Sequence, residues 1–238
     1  MPWMRQVSIQ SFRDHNPEWT VDVFHVPGDT RADVVKNSDV LRYEILADRG
    51  GWYFDTDILF IRPMDDLMDS LGDCDCALVF TDLGPMSVVR PDGSVDHRDS
   101  MPFFASVASL ACSPGNRLFG ELSEFASTCR DREDIQSCGV WAVTEFLQSI
   151  DEARRRFPEL AVANIPFPAF IPFRSQDARK LLRTSRGEVV PSDTFGIHWF
   201  GGDGVGRIVE KWTAGSYWSD CILGEHLDRR TDLRSSAS

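Results

Sequence analysis

Apolar and polar positions alternate with two different periods along the chain, and the switches between them divide it into elements. Met4 to His15 has helical spacing and is closed by Asn16-Pro17, which predicts a short amphipathic helix. Trp19 to Val26 (WTVDVFHV) alternates and is rich in β-branched and aromatic residues, so a strand is expected before the Pro27-Gly28-Asp29 turn. From Asp33 to Asp48 the apolar positions Val35, Leu41, Ile45 and Leu46 fall near one face of a second helix, which Gly50-Gly51 stops. Trp52–Phe54 and Ile58–Ile61 are strand-like and flank Asp55-Thr56-Asp57. Cys76–Thr81 reads as a strand, Val88–Val95 as a hairpin around Pro91-Asp92-Gly93, and Phe103–Cys112 as a strand before Pro114-Gly115. Leu118–Cys129, Val140–Ile150 and Asp177–Arg183 read as helices, Ala161–Ile165 as a short strand, and Pro166–Pro172 as a proline-rich crossing. Thr194–Phe200 is a late strand carrying His198, with Gly201-Gly202-Asp203-Gly204 as a flexible loop behind it. Strands alternating with helices predict an α/β layered domain. Residues 1–233 are read as one domain and 234–238 as a disordered tail.

Composition narrows the partners. The 238 residues are 42% hydrophobic and 26% charged, which is ordinary for a globular chain with a sizeable core. No apolar stretch approaches the ~18 residues that a membrane span needs, and the N-terminus has no run of signal-peptide length; the expected location is the cytoplasm. Net charge is −12 with no basic stripe, which argues against nucleic acid as a partner. The six cysteines show no paired metal spacing and are expected to be reduced thiols. An acidic protein that binds a phosphate must neutralise it locally, and carboxylates holding a divalent cation do so without basic bulk.

The candidate chemistry lies in Ser38–Pro63. In an extended segment, residues two apart point to one side, about 6–7 Å apart, so Asp55 and Asp57 would face one point while Thr56 faces away. Apolar residues on both sides plant the pair at the edge of a core, where two carboxylates repel and lose solvation. A hard cation such as Mn²⁺ or Mg²⁺ relieves both costs. The plain alternative is a surface turn. Asp39 and Arg42, three apart on a helix, are either a solvated ion pair or a contact to ribose or phosphate. His198 is either a structural histidine or a contact to metal or diphosphate.

Ser38 to Asp57, read as S-D-x-x-R-Y-x-x-L-x-x-x-G-G-x-Y-x-D-x-D, resembles the core of the sugar-binding DXD glycosyltransferases. This is family 32 in the usual classification, which includes polymannose-initiating and capsular-polysaccharide transferases; the large glucosylating toxins are similar in the same region. Weaker likenesses follow in order along the chain, at Ser11–Trp19, Ala111–Phe119, Ser137–Leu147, Ile165–Phe173 and His198-Trp199. In four places the chain departs from the pattern: Met1–Met4 stands where the family has an extra strand, no asparagine lies between Phe103 and Ser113, Val140 stands for a proline, and Lys211-Trp212 stands for a closing Ser-Trp.

The resemblance implies a GT-A fold with a single mixed, mostly parallel sheet flanked by helices. It implies retaining transfer of a hexose from a UDP- or GDP-sugar to a hydroxyl acceptor on a glycan, polysaccharide or protein. Asp39 and Arg42 would contact the donor's sugar and phosphate, Gly51 and Tyr53 would line the nucleotide side, and Lys211 and Trp212 would complete the donor site. Asp55 would hold sugar hydroxyls and metal-bound water, Asp57 would bind Mn²⁺ (or Mg²⁺) directly, and His198 would join the metal. Catalysis would rest on Asp55, Asp57 and Arg42, with the Gly201–Gly206 loop closing over the donor. The rivals are a glycoside hydrolase, which also uses two carboxylates but needs neither metal nor nucleotide, and a catalytically silent nucleotide-sugar-binding module.

Overall fold

The structure, a computed structural model, describes residues 1–81, 87–89, 95–97, 104–183, 190–202 and 204–228. Its helices are α1 (Trp3–His15), α2 (Arg31–Arg49), α3 (Asp65–Leu71), α4 (Arg117–Thr128), α5 (Val140–Leu147), α6 (Ile150–Arg156) and α7 (Gly204–Val209), followed by a helical stretch over 222–228. Its strands are β1 (Gly51–Phe54), β2 (Ile58–Phe60), β3 (Cys76–Thr81), β4 (Ser87–Val89), β5 (Val95–His97), β6 (Phe104–Cys112), β7 (Val162–Asn164) and β8 (Gly196–His198). Two 3-10 segments, Phe167–Ala169 and Ser175–Leu182, lie between β7 and β8. No helix among the described residues is long and apolar enough to cross a membrane.

The chain forms two compact units, and each is interrupted in sequence. The first takes Met1–Asp22, Asp55–Ser70 and Phe167–Ser238; the second takes Val23–Phe54 and Leu71–Pro166.

The second unit is an α/β arrangement with a four-stranded mixed sheet in the order β1-β6-β3-β7. β6 runs antiparallel to both β1 and β3, and only β3–β7 is parallel. The expected mostly parallel sheet is therefore corrected to a mostly antiparallel one. The connections explain it: a parallel pair needs a long crossover, usually helical. Between β3 and β6 the described elements are the antiparallel strands β4 and β5, not a helix, whereas α4, α5 and α6 intervene before β7 returns beside β3. The β4–β5 pair also fits the expected hairpin, whose turn residues Pro91, Asp92 and Gly93 lie outside the described residues, as does the 234–238 tail. α2, α4 and α5 supply Tyr43, Leu46, Phe119, Leu122 and Leu147 to a core that the sheet completes with Leu78 and Leu110.

Helix α2 begins two residues before the expected start because Thr30 and Asp33 form a capping box. Asp33 N donates to Thr30 Oγ1 at 3.1 Å, and Thr30 N donates to Asp33 Oδ2 at 2.9 Å. It ends at Gly50, whose φ of +67° and ψ of −162° suit glycine. A methyl group there would lie 2.5 Å from Pro114 N. Trp19–Val26 is not a strand: it pairs with no described strand, and Val23 and Phe24 are each 46% exposed. An alternating pattern fits a sheet only where a neighbour accepts its hydrogen bonds.

In the first unit, α1 packs on the β2–β8 ladder. Met4, Ser8, Ser11 and Phe12 form its buried stripe. Two of those positions are serines with fixed partners. Ser11 Oγ accepts from Phe60 N at 2.8 Å and donates to Ser8 O, while Ser8 Oγ accepts from Trp199 Nε1 at 3.1 Å. Asn16, just past the helix, accepts from Met64 N at 2.8 Å. Trp199, Ile197, Leu59, Val209, Trp212 and Leu223 build the core behind them.

Candidate functional site

Asp55, Thr56, Asp57 and Ile58 form a turn, not the extended segment that residue spacing suggested. Ile58 N donates to Asp55 O at 3.3 Å. β2 then runs antiparallel to β8 with Ile58 opposite His198, Leu59 opposite Ile197 and Phe60 opposite Gly196. Trp199 N donates to Asp57 O at 3.0 Å, which carries the pairing one residue further. This register is what brings His198, about 140 residues later, beside the aspartate pair. Gly196 permits it, because a methyl group there would meet Ile58 Cγ2 at 2.6 Å.

Within the first unit, Asp55, Asp57 and His198 each offer a ligand atom, and these atoms lie within 4.8 Å of one another. His198 Nε2 is 3.1 Å from Asp57 Oδ1, and Gly201 N donates to Asp57 Oδ2 at 2.6 Å. Burial pushes the Asp57 carboxyl up, but the charge and hydrogen bond of a protonated His198, the charge of Arg5 and the Gly201 N–H outweigh it. The group is held well below the usual carboxylate range. Asp57 is 7% exposed, so it stays ionised in a largely dry setting.

The segment behind His198 is a tight turn rather than a free loop. Phe200 sits at φ +53°, a region that a bulky residue seldom adopts, and its ring packs against the His198 ring at 4.4 Å. Gly201 and Gly206 are buried, and a methyl group on Gly206 would meet Phe200 O at 2.0 Å. Gly204 already opens α7. Within the expected lid Gly201–Gly206, Gly201 and Gly206 are closely packed while Gly202 and Gly204 are exposed. Asp203 lies outside the described residues.

Sequence reasoning did not single out Arg5, Thr56 or Glu210. Arg5, on α1, donates from Nη1 to Thr56 Oγ1 at 2.7 Å, and from Nε and Nη2 to Glu210 Oε1 at 3.0 and 2.8 Å. No signal marks such a residue, since a polar position on an amphipathic helix reads as solvent-facing. Of the late pair, Trp212 is 5% exposed and packs in the first unit's core beside Tyr217 and Trp218, while Lys211 is exposed.

The second unit holds the other candidates. Asp39 and Arg42 form a 2.8 Å ion pair, with side chains only 2% and 5% exposed, so it is a buried pair and not a solvated one. Arg42 Nη1 donates to Val107 O at 2.6 Å, and the guanidinium lies 4.5 Å from the Tyr53 ring centroid. Gly139 leaves room for the carboxylate, because a methyl group there would lie 2.5 Å from Asp39 Oδ2. Gly51 has φ +93° and open space where a side chain would stand. A separate shallow recess of about 350 Å³, lined by Leu71, Cys74, Arg154 and Leu160 among others, includes none of these candidates.

No curated protein sequence matches the chain. Residues 1–75, which include Asp39, Arg42, Asp55 and Asp57 but not His198, match the family model of the glycosyltransferase sugar-binding region containing DXD motif, which bears out the resemblance read in Ser38–Asp57 over this part of the chain.

Proposed function

We propose that this protein is a metal-dependent hexosyltransferase that takes a UDP- or GDP-sugar as donor and transfers the sugar, with retention, to a hydroxyl acceptor on a glycan, polysaccharide or protein. We further propose that its two units are a variant of the GT-A fold with a mostly antiparallel sheet. One observation carries the reading. The two aspartates of the family motif meet a histidine from the far end of the chain, with ligand atoms within 4.8 Å. A six-coordinate cation with ligands at ~2.1 Å sets them roughly 3 to 4.2 Å apart, so the cluster needs only a small contraction. Two carboxylates and one imidazole also fit an ion of intermediate softness, which favours Mn²⁺ over Mg²⁺.

Asp55 and Asp57 would hold the ion through carboxylate oxygens and His198 through an imidazole nitrogen. When bound, a divalent ion supplies positive charge against the departing diphosphate. The chain's own residues do the positioning. Gly201 N–H and Trp199 N–H fix the two ends of Asp57, and the Phe200 ring packs against the imidazole. Asp57 is held ionised, so the proton that a bound cation displaces is that of His198. For Asp39, Arg42, Gly51 and Tyr53, support for a donor-side role comes from the motif alone, and for Lys211 and Trp212 it comes only from their place in the order of the family pattern. It is read separately, from the donor affinity of an Arg42→Lys variant that retains its fold.

The test is release of nucleoside diphosphate from UDP- and GDP-hexoses with and without Mn²⁺. The wild type should turn donor over slowly and only with metal, and Asp57→Ala should lose at least about a hundredfold. Donor binding without turnover under any metal would favour the silent binding module; turnover of a simple glycoside without metal would favour the hydrolase.

A further inference from the structure

We propose that Arg5 is the positioning residue of the metal turn and that it acts through Thr56, the middle residue of Asp55-Thr56-Asp57. The inference rests on the metal role proposed above. All the groups belong to the first unit.

The turn's own closing hydrogen bond, Ile58 N to Asp55 O, is long at 3.3 Å. A shorter one comes from outside: Arg5 Nη1 donates to Thr56 Oγ1 at 2.7 Å. Arg5 in turn is held from several directions. Its Nε and Nη2 both donate to Glu210 Oε1, its guanidinium carbon lies 5.6 Å from the Trp199 ring centroid, and a methyl group on Gly201 would come within 2.5 Å of Nη2. Gly201 is the residue whose N–H binds Asp57 Oδ2, and Trp199 N binds Asp57 O. One planar group therefore hydrogen-bonds Thr56, the residue before Asp57, and lies beside Trp199 and Gly201, the two residues whose N–H groups bind Asp57. The planar fork of guanidinium suits this task better than an ammonium would.

Charge alone does not account for the arrangement. A cation at the aspartates is repelled by Arg5, and Glu210 at 2.8 Å offsets much of that positive charge. The directional hydrogen bond to Thr56 remains. Removing it without altering any charge separates the two effects, because a purely electrostatic Arg5 would be indifferent to Thr56.

The experiment measures binding of Mn²⁺ alone by the loss of its free electron-paramagnetic-resonance signal, with a melting curve for each variant. Thr56→Val should weaken Mn²⁺ binding about tenfold, as loss of an outer-shell partner commonly does, with its melting temperature unchanged, and Thr56→Ser should restore binding. Arg5→Gln should weaken binding to a similar extent, and adding Thr56→Val to it should cost no more than about a further twofold, since both remove one interaction. Equal Mn²⁺ affinity in wild type and Thr56→Val, tighter binding in Arg5→Gln, or a loss that Thr56→Ser does not restore would each overturn the inference while leaving the metal site standing. A wild type that binds no Mn²⁺ would remove both.

Discussion

Asp39 and Asp57 are both buried, and each lies beside a side chain that can carry positive charge, yet the two settings differ. Asp39, in the second unit, pairs with Arg42 three residues along the same helix, and Arg42 is also tied to Val107 O and lies over Tyr53. Arginine does not give up its proton in a protein, so the pair is permanent and its geometry is set by one helical turn. Asp57, in the first unit, pairs with an imidazole delivered by a separate strand, and a second carboxylate stands close by. An imidazole can lose its proton and become a metal ligand. The first arrangement closes on itself; the second can exchange its proton for a cation. Burial and charge pairing alone therefore do not mark a metal site. The titratable partner and the extra carboxylate are what set the proposed metal site apart.

The largest effect that would break this comparison is in the second unit. Arg42→Ala should leave Asp39 charged and buried and cost about 3–5 kcal/mol of stability, measured by urea unfolding. A loss under about 1 kcal/mol would mean the pair is solvated and the contrast with Asp57 false.

The acid arm comes next. Asp57 has a folded pKa well below its ordinary value, so its contribution to stability is present above about pH 4 and is lost as pH falls further. Asp57→Asn should thus be less stable than wild type near neutral pH, by about 2 kcal/mol for a carboxylate held this way. The gap should close in acid-unfolding curves below pH 4. A gap that widens toward low pH would reverse the assignment.

The two glycines after α2 sharpen the comparison further. Gly50→Ala combines a backbone region reserved for glycine with a 2.5 Å approach to Pro114 N, and should cost about 2–3 kcal/mol. Gly51→Ala has φ +93° but open space around it, and should cost about 1 kcal/mol in thermal melts. If Gly51→Ala is instead the more damaging to folding, the open space beside it has been misjudged.

Much of the chain was legible before folding. The stripe of α1, the Gly-Gly stop of α2 and the apolar runs of β3 and β6 mark these elements because local periodicity and breakers decide them. Sheet direction was not legible, since the return of β6 between β1 and β3 depends on which connections carry helices and not on any residue within the strands. Trp19–Val26 shows the same limit from the other side: its alternation is genuine, but no described strand accepts it. Asp55, Asp57 and His198 stood out as candidates by residue type, while their meeting depends on the β2–β8 register, which no spacing encodes. Arg5, Ser8 and Ser11 were invisible for a simpler reason. Polar side chains on a helix acquire meaning only once their partners, Thr56, Trp199 and Phe60, are in place.

The most direct measurement is a titration of the wild-type protein, Asp57→Asn and His198→Ala with Mn²⁺, following free ion by electron paramagnetic resonance. The account predicts one tightly bound ion for the wild type, with affinity lowered at least about tenfold in each variant and each melting as a folded protein. No bound ion in the wild type, or binding that neither substitution changes, would contradict it.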